Sequence, residues 1–456
     1  MTQLLEDAAQ RAMRYLQGLD QRSVAPTQSA LERLPQLGGA LPEQPGDPLE
    51  VLRLLDEIGS PATVATAGRR FFGFVIGGSL PVTVAANWLA AAWDQNVTFS
   101  TTSPVGAAVE EIALGWLLDV FGLPAGTGGA FVTGATLANL TALAAARHAV
   151  LKQAGWDVEA QGLQGAPVVS VVVGAEVHAS IIKALRLLGF GRDRLVQVPA
   201  DREGRMRAEA LPELAGPCIV CIQAGNVNSG AFDPAPEICA RARAAGAWVH
   251  VDGAFGMWAA AAPVRARLWT GFAEADSWAT DAHKWLNVPH DSGLAFVRDA
   301  EALRAAMSVS GSYLIAGSMR EPSHYTPELS RRARGVEVWA ALRALGRQGL
   351  AQQIERCCQL ATRFAQGLQA AGYEVLNDVV LNQVVVAFGD AEHTRRVIAG
   401  IQADGTCWCG GTVWQGRSAM RISVSSWATT EDDVERSLAV MLRIARVPCA
   451  AHQDHE

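Results

Sequence analysis

The spacing of apolar and polar residues divides this chain of 456 residues into three regions. Residues 1–60 predict an amphipathic helix, a Pro- and Gly-rich crossing from Pro35 to Pro48, and a second helix. From about Gly126 to Val297, short apolar runs alternate with helical segments. The first region has little core of its own, so we expect it to pack against another surface, such as a second subunit.

The middle region contains seven short runs that are rich in apolar and β-branched residues, which is typical of strands. These runs are Ala130–Thr133, Val168–Val173, Leu195–Val198, Cys218–Ile222, Trp248–Val251, Ser277–Thr280 and Leu294–Val297. The second run has no polar alternation, as expected for a strand that is covered on both faces. Because the strands alternate with helices, the pattern predicts an α/β fold with a mostly parallel sheet and crossover helices.

The remaining sequence predicts a helical connection followed by a small α+β unit. The predicted helices are Arg331–Leu345, Leu350–Ala371, Glu392–Ala403 and Glu431–Ala445, and the predicted strands are Val384–Phe388 and Met420–Val424. We therefore expect an N-terminal helical arm at residues 1–68, a large domain at 69–330, and a connection with a small C-terminal domain at 331–456.

Composition narrows the classes of function. Half of the residues are apolar and 18% are charged, which is typical of a folded globular chain. The formal net charge of −7 offers no basic surface to a nucleic acid. The only lysines are Lys152, Lys183 and Lys284, so any chemistry that needs a lysine amine has three candidates.

Eight cysteines do not make a disulfide framework in a chain of this length. The N-terminal segment is acidic and helical rather than signal-like, so we expect a reducing, cytoplasmic compartment. Cys218 and Cys221 have the spacing of a metal or redox pair, but no second pair lies at zinc spacing, and we interpret them as buried structural thiols. The same interpretation applies to Cys407 and Cys409, and we predict no metal site.

Two long uncharged stretches, Phe71–Trp93 and Val120–Ala146, have the length of membrane spans. Both are interrupted by glycine and proline, at a density that fits buried loops and short elements better than a spanning helix. We therefore predict that the protein does not cross a membrane.

Two motifs place reactive side chains at the ends of predicted strands. Lys284 lies in the segment Asp281–Trp285, and the alternative is a solvated loop lysine. Asp252 directly follows a predicted strand, at the end where open α/β sheets bind ligands, although it could equally be a turn aspartate before Gly253. The offset of 32 positions from Asp252 to Lys284 leaves room for one crossover and one strand, so both side chains could reach the same edge of the sheet.

Two further motifs suit a phosphate and a planar ring. After the strand at 130–133, a turn of small residues leads into a helix whose first turn carries Thr136, and a helix N-terminus favours a phosphate. The segment matches neither a Walker motif nor GxGxxG. His178 lies at another junction between strand and helix, where a structural histidine is the alternative. A phosphate site, a histidine, a carboxylate and a lysine are together what pyridoxal phosphate requires.

From about Arg69 to Val447, the chain resembles the group II pyridoxal-phosphate decarboxylases, which include aromatic-L-amino-acid, tyrosine and glutamate decarboxylases. The resemblance rests on Phe71–Phe74, Ser103-Pro104, Val249–Gly256, Asp281–Trp285, Leu329–Arg332 with Trp339, and Met420–Ser423. It implies the fold-type I scaffold of the aminotransferases, with a seven-stranded large domain and a small C-terminal domain. It also implies a homodimer with shared active sites, and α-decarboxylation of an L-amino acid to an amine and CO2.

The resemblance further implies residue roles. Lys284 would form the internal aldimine with pyridoxal 5'-phosphate, and Asp252 would pair with the pyridinium nitrogen. Ala254 and His178 would pack on opposite ring faces, with His178 close to the substrate carboxylate. The residues implied to hold the phosphate are Gly134, Ala135, Thr136, Asp281 and His283, with Ser330 contributed by the neighbouring subunit. Those implied to line the substrate pocket are Phe74, Val75, Ile76 and Gly77.

The sequence departs from the family at three places. Leu137 stands where members often have a glutamate, and Asn226 replaces a threonine near the phenolic oxygen of the cofactor. In the loop 312–328, the family's proton-donating tyrosine would fall near Pro322. We predict that Tyr325 is the donor instead, with Tyr313 and His324 as the next candidates.

The expected substrate is an aromatic or apolar amino acid, because the stretch 72–77 offers apolar surface and no cation. Arg69 and Arg70 immediately precede it, so an acidic amino acid is the alternative substrate. The alternative product is an aldehyde, formed by decarboxylation with oxidative deamination. A cofactor-binding protein without catalysis is the alternative from another class, and the intact set Lys284, Asp252 and His178 argues against it.

Overall fold

The computed structural model describes residues 1–309 and 320–447. Contacts between Cα atoms group the chain into two compact units. The first unit consists of Met1–Ile76, Thr362–Leu376 and the chain from Val384 onward, and the second consists of Gly77–Ala361 and Asn377–Gln383.

The helices are distributed along the whole described chain. They are α1 Thr2–Gly18, α2 Gln28–Glu32, α3 Pro48–Leu54, α4 Ser60–Ala62, α5 Pro81–Trp93, α6 Pro104–Phe121, α7 Ala135–Gln153, α8 Val158–Gln161, α9 Ala179–Leu187, α10 Ala235–Ala244, α11 Ala282–Trp285, α12 Ala300–Met307, α13 Gly335–Ala370, α14 Ala391–Asp404 and α15 Glu431–Ala445. Gly346 breaks α13 with a φ of 59° and a ψ of −175°, so two helical segments meet there.

Seven strands form the sheet of the second unit. They are β1 Gly128–Val132, β2 Ser170–Gly174, β3 Val196–Val198, β4 Cys218–Gln223, β5 Trp248–Asp252, β6 Ser277–Asp281 and β7 Gly293–Val297. Their order is β1-β7-β6-β5-β4-β2-β3, and β7 runs antiparallel to both of its neighbours. The carboxyl ends of the other six strands therefore share one edge of the sheet, which is the edge that binds ligands in open α/β sheets.

The predicted α/β class with a mostly parallel seven-stranded sheet is confirmed. Each predicted strand overlaps an observed one, and the bounds differ by one or two residues. Strands β1, β4, β5, β6 and β7 are buried along their whole length, because helices cover both faces of the sheet. The antiparallel direction of β7 was not predicted, since single-sequence patterns do not report strand direction.

The first unit contains a four-stranded sheet. Its strands are β8 Glu374–Val375, β9 Gln383–Ala387, β10 Gly410–Trp414 and β11 Arg417–Ser423, in the order β10-β11-β9-β8. Backbone hydrogen bonds join residues 70–72 to this unit: Phe72 N–H donates to Trp408 O, and Ser423 N–H donates to Phe72 O.

None of the helices in the described ranges is long and apolar enough to cross a membrane. The stretches that raised this question fold as α5, β1 and parts of α6 and α7, with loops between them. Cys218, Cys221, Cys407 and Cys409 are all buried free thiols. Burial raises the pKa of the Cys221 thiol, so it stays protonated at neutral pH.

Candidate active site

The predicted site residues gather at the carboxyl edge of the large sheet. Asp252 is the last residue of β5 and Asp281 is the last residue of the adjacent β6. Gly134 lies between β1 and α7, and His178 is the residue immediately before α9. Four sequence segments that are far apart along the chain therefore end at one edge, as predicted.

Lys284 and Asp281 form an ion pair at this edge. The Nζ atom of Lys284 lies 2.7 Å from Oδ2 of Asp281, and Oδ1 of Asp281 accepts the N–H of Ala135 at 2.5 Å. The Asp281 side chain is almost fully buried. A single carboxylate thus connects the amine of Lys284 with the N-terminus of α7, and charge-assisted bonds of this kind hold both partners in place.

The His283 ring is held in a neutral form beside this pair. The N–H of Ser292 donates to Nδ1 of His283 at 3.1 Å, and Nε2 lies 3.6 Å from Oδ1 of Asp281. Burial lowers the pKa of His283 to about 4, although Asp281 opposes the shift. Since Nδ1 is an acceptor, Nε2 carries the ring proton and can donate it. His290 stacks on the same ring at a centroid distance of 4.2 Å.

The N-terminus of α7 has the features of an anion site. The N-cap residue is Gly134, which has no side chain to cap the helix, and a Cβ added at Gly134 would lie 3.3 Å from Cε1 of His283 and 3.4 Å from Oδ1 of Asp281. A Cβ at Gly293 would lie only 2.4 Å from the Cα of Gly134, so the start of β7 must be glycine for this close approach. Thr136, in the first turn of α7, is exposed. Helix dipole, donor side chains and small residues here fit a phosphate.

Asp252 and His178 are joined through Ser180. The hydroxyl of Ser180 lies 2.8 Å from Nδ1 of His178 and 3.5 Å from Oδ2 of Asp252. Oδ1 of Asp252 also accepts the N–H of Ala254 at 3.2 Å, so this aspartate closes its own turn as well. The carboxylate is buried while His178 is exposed, which leaves the histidine accessible to a ligand at the sheet edge.

Asn226 is buried after β4, and its side chain is used locally. Its Oδ1 accepts the N–H groups of Asn228 and Ser229, and its Nδ2 lies 3.4 Å from Oε1 of Gln223. The amide that replaces the family's threonine therefore shapes the loop after β4, and a role toward the cofactor stays a prediction.

Ser330 is exposed. It lines a cavity of about 620 Å³ together with Asn87, Asp94 and Arg332. Lys284 is not one of the described residues that line this cavity.

Tyr325 packs against a core that includes residues of β1. It ends a short 3-10 helix, Pro322–Tyr325, and contacts the cluster that contains Ala130 and Val132. The Arg320 guanidinium lies 4.2 Å above its ring. None of the hydrogen bonds or ring contacts within 1–309 and 320–447 joins Tyr325 to Lys284, Asp252 or His178. The alternative donor Tyr313 lies outside the described residues.

The predicted substrate segment begins in the first unit and ends beside Lys284. Phe74 is exposed and stacks on Trp408 at 5.6 Å, and Trp408 stacks on Phe71 at 5.0 Å. Phe74 and Val75 both have left-handed backbone conformations, with φ of 55° and 62°. In the second unit, a Cβ at Gly77 would lie 2.1 Å from the carbonyl oxygen of Lys284, so this position tolerates only glycine.

Comparison with known proteins places the chain in a family. Residues 34–388 match the family model of the pyridoxal-dependent decarboxylase conserved domain. The aromatic-L-amino-acid decarboxylase of Bacillus atrophaeus is 28% identical over 374 residues, which cover 78% of this chain and 75% of that protein. The L-2,4-diaminobutyrate decarboxylase of Rhizobium meliloti is 32% identical over 392 residues, which cover 80% of this chain and 75% of that protein. The structure of Oryza sativa TDC with PLP and tryptamine matches at a TM-score of 0.90 and 22% identity, covering 97% of both chains.

The chain therefore belongs to the pyridoxal-dependent decarboxylase family. It is a PLP-dependent amino-acid decarboxylase of fold-type I, and its cofactor is pyridoxal 5'-phosphate, as the sequence predicted. The donor set at the sheet edge fits this group: an amine, a buried carboxylate one strand away, and a helix N-terminus whose N-cap residue is glycine.

Sequence reasoning missed three residues that support the site. Ser180, Asn139 and His250 are buried and hydrogen-bonded in series beneath His178 and Asp252. Asn139 could have been noticed, because it is a polar residue within an otherwise apolar stretch of α7. Buried polar groups in such a position nearly always have partners.

Proposed function

We propose that this chain catalyses the α-decarboxylation of an aromatic or apolar L-amino acid to the amine and CO2. The observation that carries the proposal is the joint position of four side chains at the carboxyl edge of one sheet: Lys284 pairs with Asp281, and His178 is joined to Asp252 through Ser180. Lys284 would hold the cofactor covalently, and Gly134, Ala135, Thr136, Asp281 and His283 would hold its phosphate.

Each residue of the site would have a separate role in the reaction. Pyridoxal phosphate, when bound, supplies a ring that accepts the electron pair left behind when CO2 departs. The buried Asp252 carboxylate would keep the ring nitrogen protonated, and a buried charge-assisted bond is strong enough to do so. His178 would orient the substrate carboxylate, and Ala254 would pack on the other ring face. Lys284 would release the cofactor to the incoming amino group and take it back when the product leaves.

The proposed preference for an apolar side chain is supported by the arginines near the substrate segment. Arg70 is buried, and its three guanidinium nitrogens donate to Thr406 O, Asp433 Oδ1 and Asp20 O. Arg69 pairs with the Asp20 side chain. Both cations thus have partners already, while an acidic substrate would need an unengaged one to avoid a buried unpaired carboxylate. The exposed Phe74 ring, by contrast, offers a stacking surface.

A panel of amino acids tests this preference. The holoenzyme is incubated with phenylalanine, tryptophan, leucine, methionine, glutamate, aspartate and 2,4-diaminobutyrate, while CO2, amine, aldehyde and peroxide are measured. The proposal expects the highest kcat/KM with an apolar or aromatic substrate. A higher value for glutamate, aspartate or 2,4-diaminobutyrate would contradict it.

An aldehyde is the second candidate product, and the observation that favours it is the packing of Tyr325 beneath Arg320. The carbon that loses CO2 must receive a proton, and we propose the Tyr325 hydroxyl as the donor and the amine as the product. The ring of Tyr325 is held beneath Arg320, however. If no donor reaches the carbon, oxygen and water can convert the amino acid to aldehyde, CO2, ammonia and hydrogen peroxide. The measured ratio of peroxide to amine separates the two reactions.

We also propose that the chain acts as a homodimer. The α5 helix exposes four large apolar side chains, Val82, Trp88, Leu89 and Trp93, and an exposed apolar patch of this kind marks an interaction surface. The exposed Ser330 would contribute to the phosphate site of a second subunit, and it lines the same cavity as Asn87 of α5. Light scattering of the holoenzyme is expected to give twice the chain mass, and Trp88→Glu with Leu89→Glu to give the monomer.

A further inference from the structure

A continuous series of buried hydrogen bonds runs under the sheet edge and ends at His178. It passes from Trp248 Nε1 to Ser277 Oγ at 2.9 Å, and from Ser277 Oγ to His250 Nδ1 at 2.9 Å. It continues from His250 Nε2 to Asn139 Oδ1 at 2.9 Å and from Asn139 Nδ2 to Ser180 Oγ at 3.2 Å. These five side chains are buried, so none of their polar groups can exchange its partner for bulk water.

The contacts give the series one direction, which starts at a member that can only donate. An indole N–H has no acceptor atom, so Ser277 Oγ accepts from Trp248; the other side-chain contact that the described residues give this hydroxyl is Nδ1 of His250, and its hydrogen donates there. Burial lowers the pKa of His250 to about 3, so this ring is neutral at physiological pH. Since Nδ1 accepts, Nε2 carries the proton and donates to Oδ1 of Asn139.

The same direction continues to the exposed end. Because the Asn139 oxygen accepts from His250, its nitrogen is the atom that faces Ser180 and donates to the hydroxyl oxygen. The Ser180 hydrogen is then available for Nδ1 of His178 at 2.8 Å, with Oδ2 of Asp252 as the more distant acceptor at 3.5 Å. The backbone N–H of Ser180 also donates to Nδ1 of His178, at 3.2 Å.

We propose that this one-way donor series, from Trp248 through Ser277, His250, Asn139 and Ser180, fixes the tautomer and the ring orientation of His178. Two donors directed at Nδ1 leave the proton of the neutral ring on Nε2, on the side away from the protein interior. Ser180, Asn139 and His250 are thus positioning residues. The inference rests on the proposed function only in that His178 is the residue assigned to the substrate carboxylate.

The consequence for the reaction is a donor of fixed geometry. An Nε2–H group can donate to a carboxylate oxygen, whereas the other tautomer would direct an N–H at the N–H of Ser180 and lose that bond. A buried donor without an acceptor is unfavourable, so the alternative arrangement is disfavoured along the whole series. Because every buried polar group of the series needs a partner, the series fixes the orientation of the exposed His178 side chain.

The decisive experiment reverses the direction of hydrogen-bond donation between residue 139 and Ser180. In Asn139→Asp, the carboxylate accepts from both His250 and Ser180, so the Ser180 hydrogen turns away from His178 and its oxygen lone pair faces Nδ1. Nitrogen-15 spectra of histidine-labelled holoenzyme, with His178 assigned by comparison with His178→Asn, report which ring nitrogen is protonated. We expect Nε2–H in the wild type and a shift toward Nδ1–H in Asn139→Asp, with kcat about tenfold lower and KM changed less.

A second variant separates this effect from a general effect of a buried charge. In Ser180→Ala, the Nδ1 signal should move toward that of a ring nitrogen with a weaker hydrogen bond, and Ser180→Thr should restore it. In the double variant, Asn139→Asp should no longer affect His178, since the linking hydroxyl is gone. Asn377→Asp is the matched control: its amide is also buried, and it donates to the backbone oxygens of Ser229 and Gln383 rather than to a member of the series.

The outcomes are distinct. His178 with a proton on Nδ1 in the wild type would overturn the inference, as would unchanged spectra in both Asn139→Asp and Ser180→Ala. An equal shift of His178 in Asn377→Asp would also overturn it, because any buried charge would then produce the effect. If the amino-acid panel gives no CO2, the proposed function fails while the tautomer of His178 can still be as inferred.

Discussion

The ammonium nitrogen of Lys284 and the Oδ2 atom of Asp281, three residues earlier in the chain, lie 2.7 Å apart. Asp281 is the last residue of β6, and Lys284 lies in the short helix that follows it. This pair distinguishes Lys284 from the other two lysines, since Lys152 and Lys183 are exposed on α7 and α9. An amine held at the carboxyl edge by a buried carboxylate is in position for covalent chemistry with a bound cofactor.

Replacing Lys284 by alanine is expected to abolish activity and the covalent attachment of the cofactor. Borohydride reduction of the wild-type holoenzyme, followed by peptide mapping, should place the label on the peptide that contains Lys284. Lys183→Ala is the matched control and should retain the label and the activity. A label on Lys152 or Lys183 would contradict the assignment.

Asp252→Asn is expected to bind the cofactor but to lose most of its turnover. An amide cannot keep the ring nitrogen protonated, and the lost charge-assisted bond corresponds to about 1.5–3 kcal/mol. Asp276→Asn is the control, because Asp276 accepts the N–H of Val249 at the opposite end of β5. Steady-state kinetics and the cofactor spectrum distinguish the two variants, and near-normal turnover in Asp252→Asn would refute the role.

Phe74→Ala should lower kcat/KM for aromatic amino acids by about tenfold while affecting aliphatic ones less, since a stacked aromatic pair contributes about 0.5–1.5 kcal/mol beyond its buried area. Val413→Ala, an exposed apolar residue of β10 in the same unit, serves as the control. Kinetics with phenylalanine and leucine as paired substrates measure the difference. Equal losses for both substrates would argue against a specific aromatic contact.

Tyr325→Phe keeps the ring beneath Arg320 but removes the hydroxyl. If this hydroxyl delivers the proton, the variant should make less amine and more peroxide for each CO2 released. Amine formation at the wild-type rate would exclude Tyr325, and the same assay on His324→Gln and Tyr313→Phe would then identify the donor. His324 is the residue before Tyr325 in the same 3-10 helix.

Stability should decrease in mild acid because two histidines are held neutral by burial. The pKa is about 3 for His250 and about 4 for His283 in the folded chain, against roughly 6.5 in an unfolded one. Below about pH 6.5 the unfolded chain binds more protons, so the free energy of unfolding falls as the pH drops toward these values, by up to about 1.4 kcal/mol per pH unit for each group. Melting temperatures across this range should fall less steeply in His250→Gln. Parallel curves for both proteins would contradict a neutral His250.

Sequence patterns predicted the elements that have a strong local signal. The strands β4, β5 and β6 are fully buried, and each predicted run differs from the observed strand by a single residue at one end. The same reasoning predicted that Asp252 and Lys284 lie at one edge, because parallel strands end on the same side of a sheet. The family resemblance then supplied the cofactor, which composition and spacing alone only suggested.

The residues that sequence patterns missed depend on contacts between distant segments. Asn139 and His250 are 111 positions apart in the chain, yet their side chains hydrogen-bond at 2.9 Å. Neither residue belongs to a motif with a fixed spacing, so no local rule connects them. Tyr325 is the opposite case: its position in the predicted loop suggested a proton donor, whereas its packing against the core that includes Ala130 depends on tertiary contacts.

Phe74 and Val75 are two adjacent bulky residues in a backbone region that glycine adopts most easily. Each such conformation costs about 1–3 kcal/mol, which the surrounding structure must compensate. Glycine at residue 74 is therefore expected to raise the melting temperature while it removes the ring that stacks on Trp408. Selection for thermal stability would favour glycine at this position, whereas selection for an aromatic substrate would favour phenylalanine. Laboratory evolution for higher stability should therefore repeatedly give variants that accept a broader range of substrates.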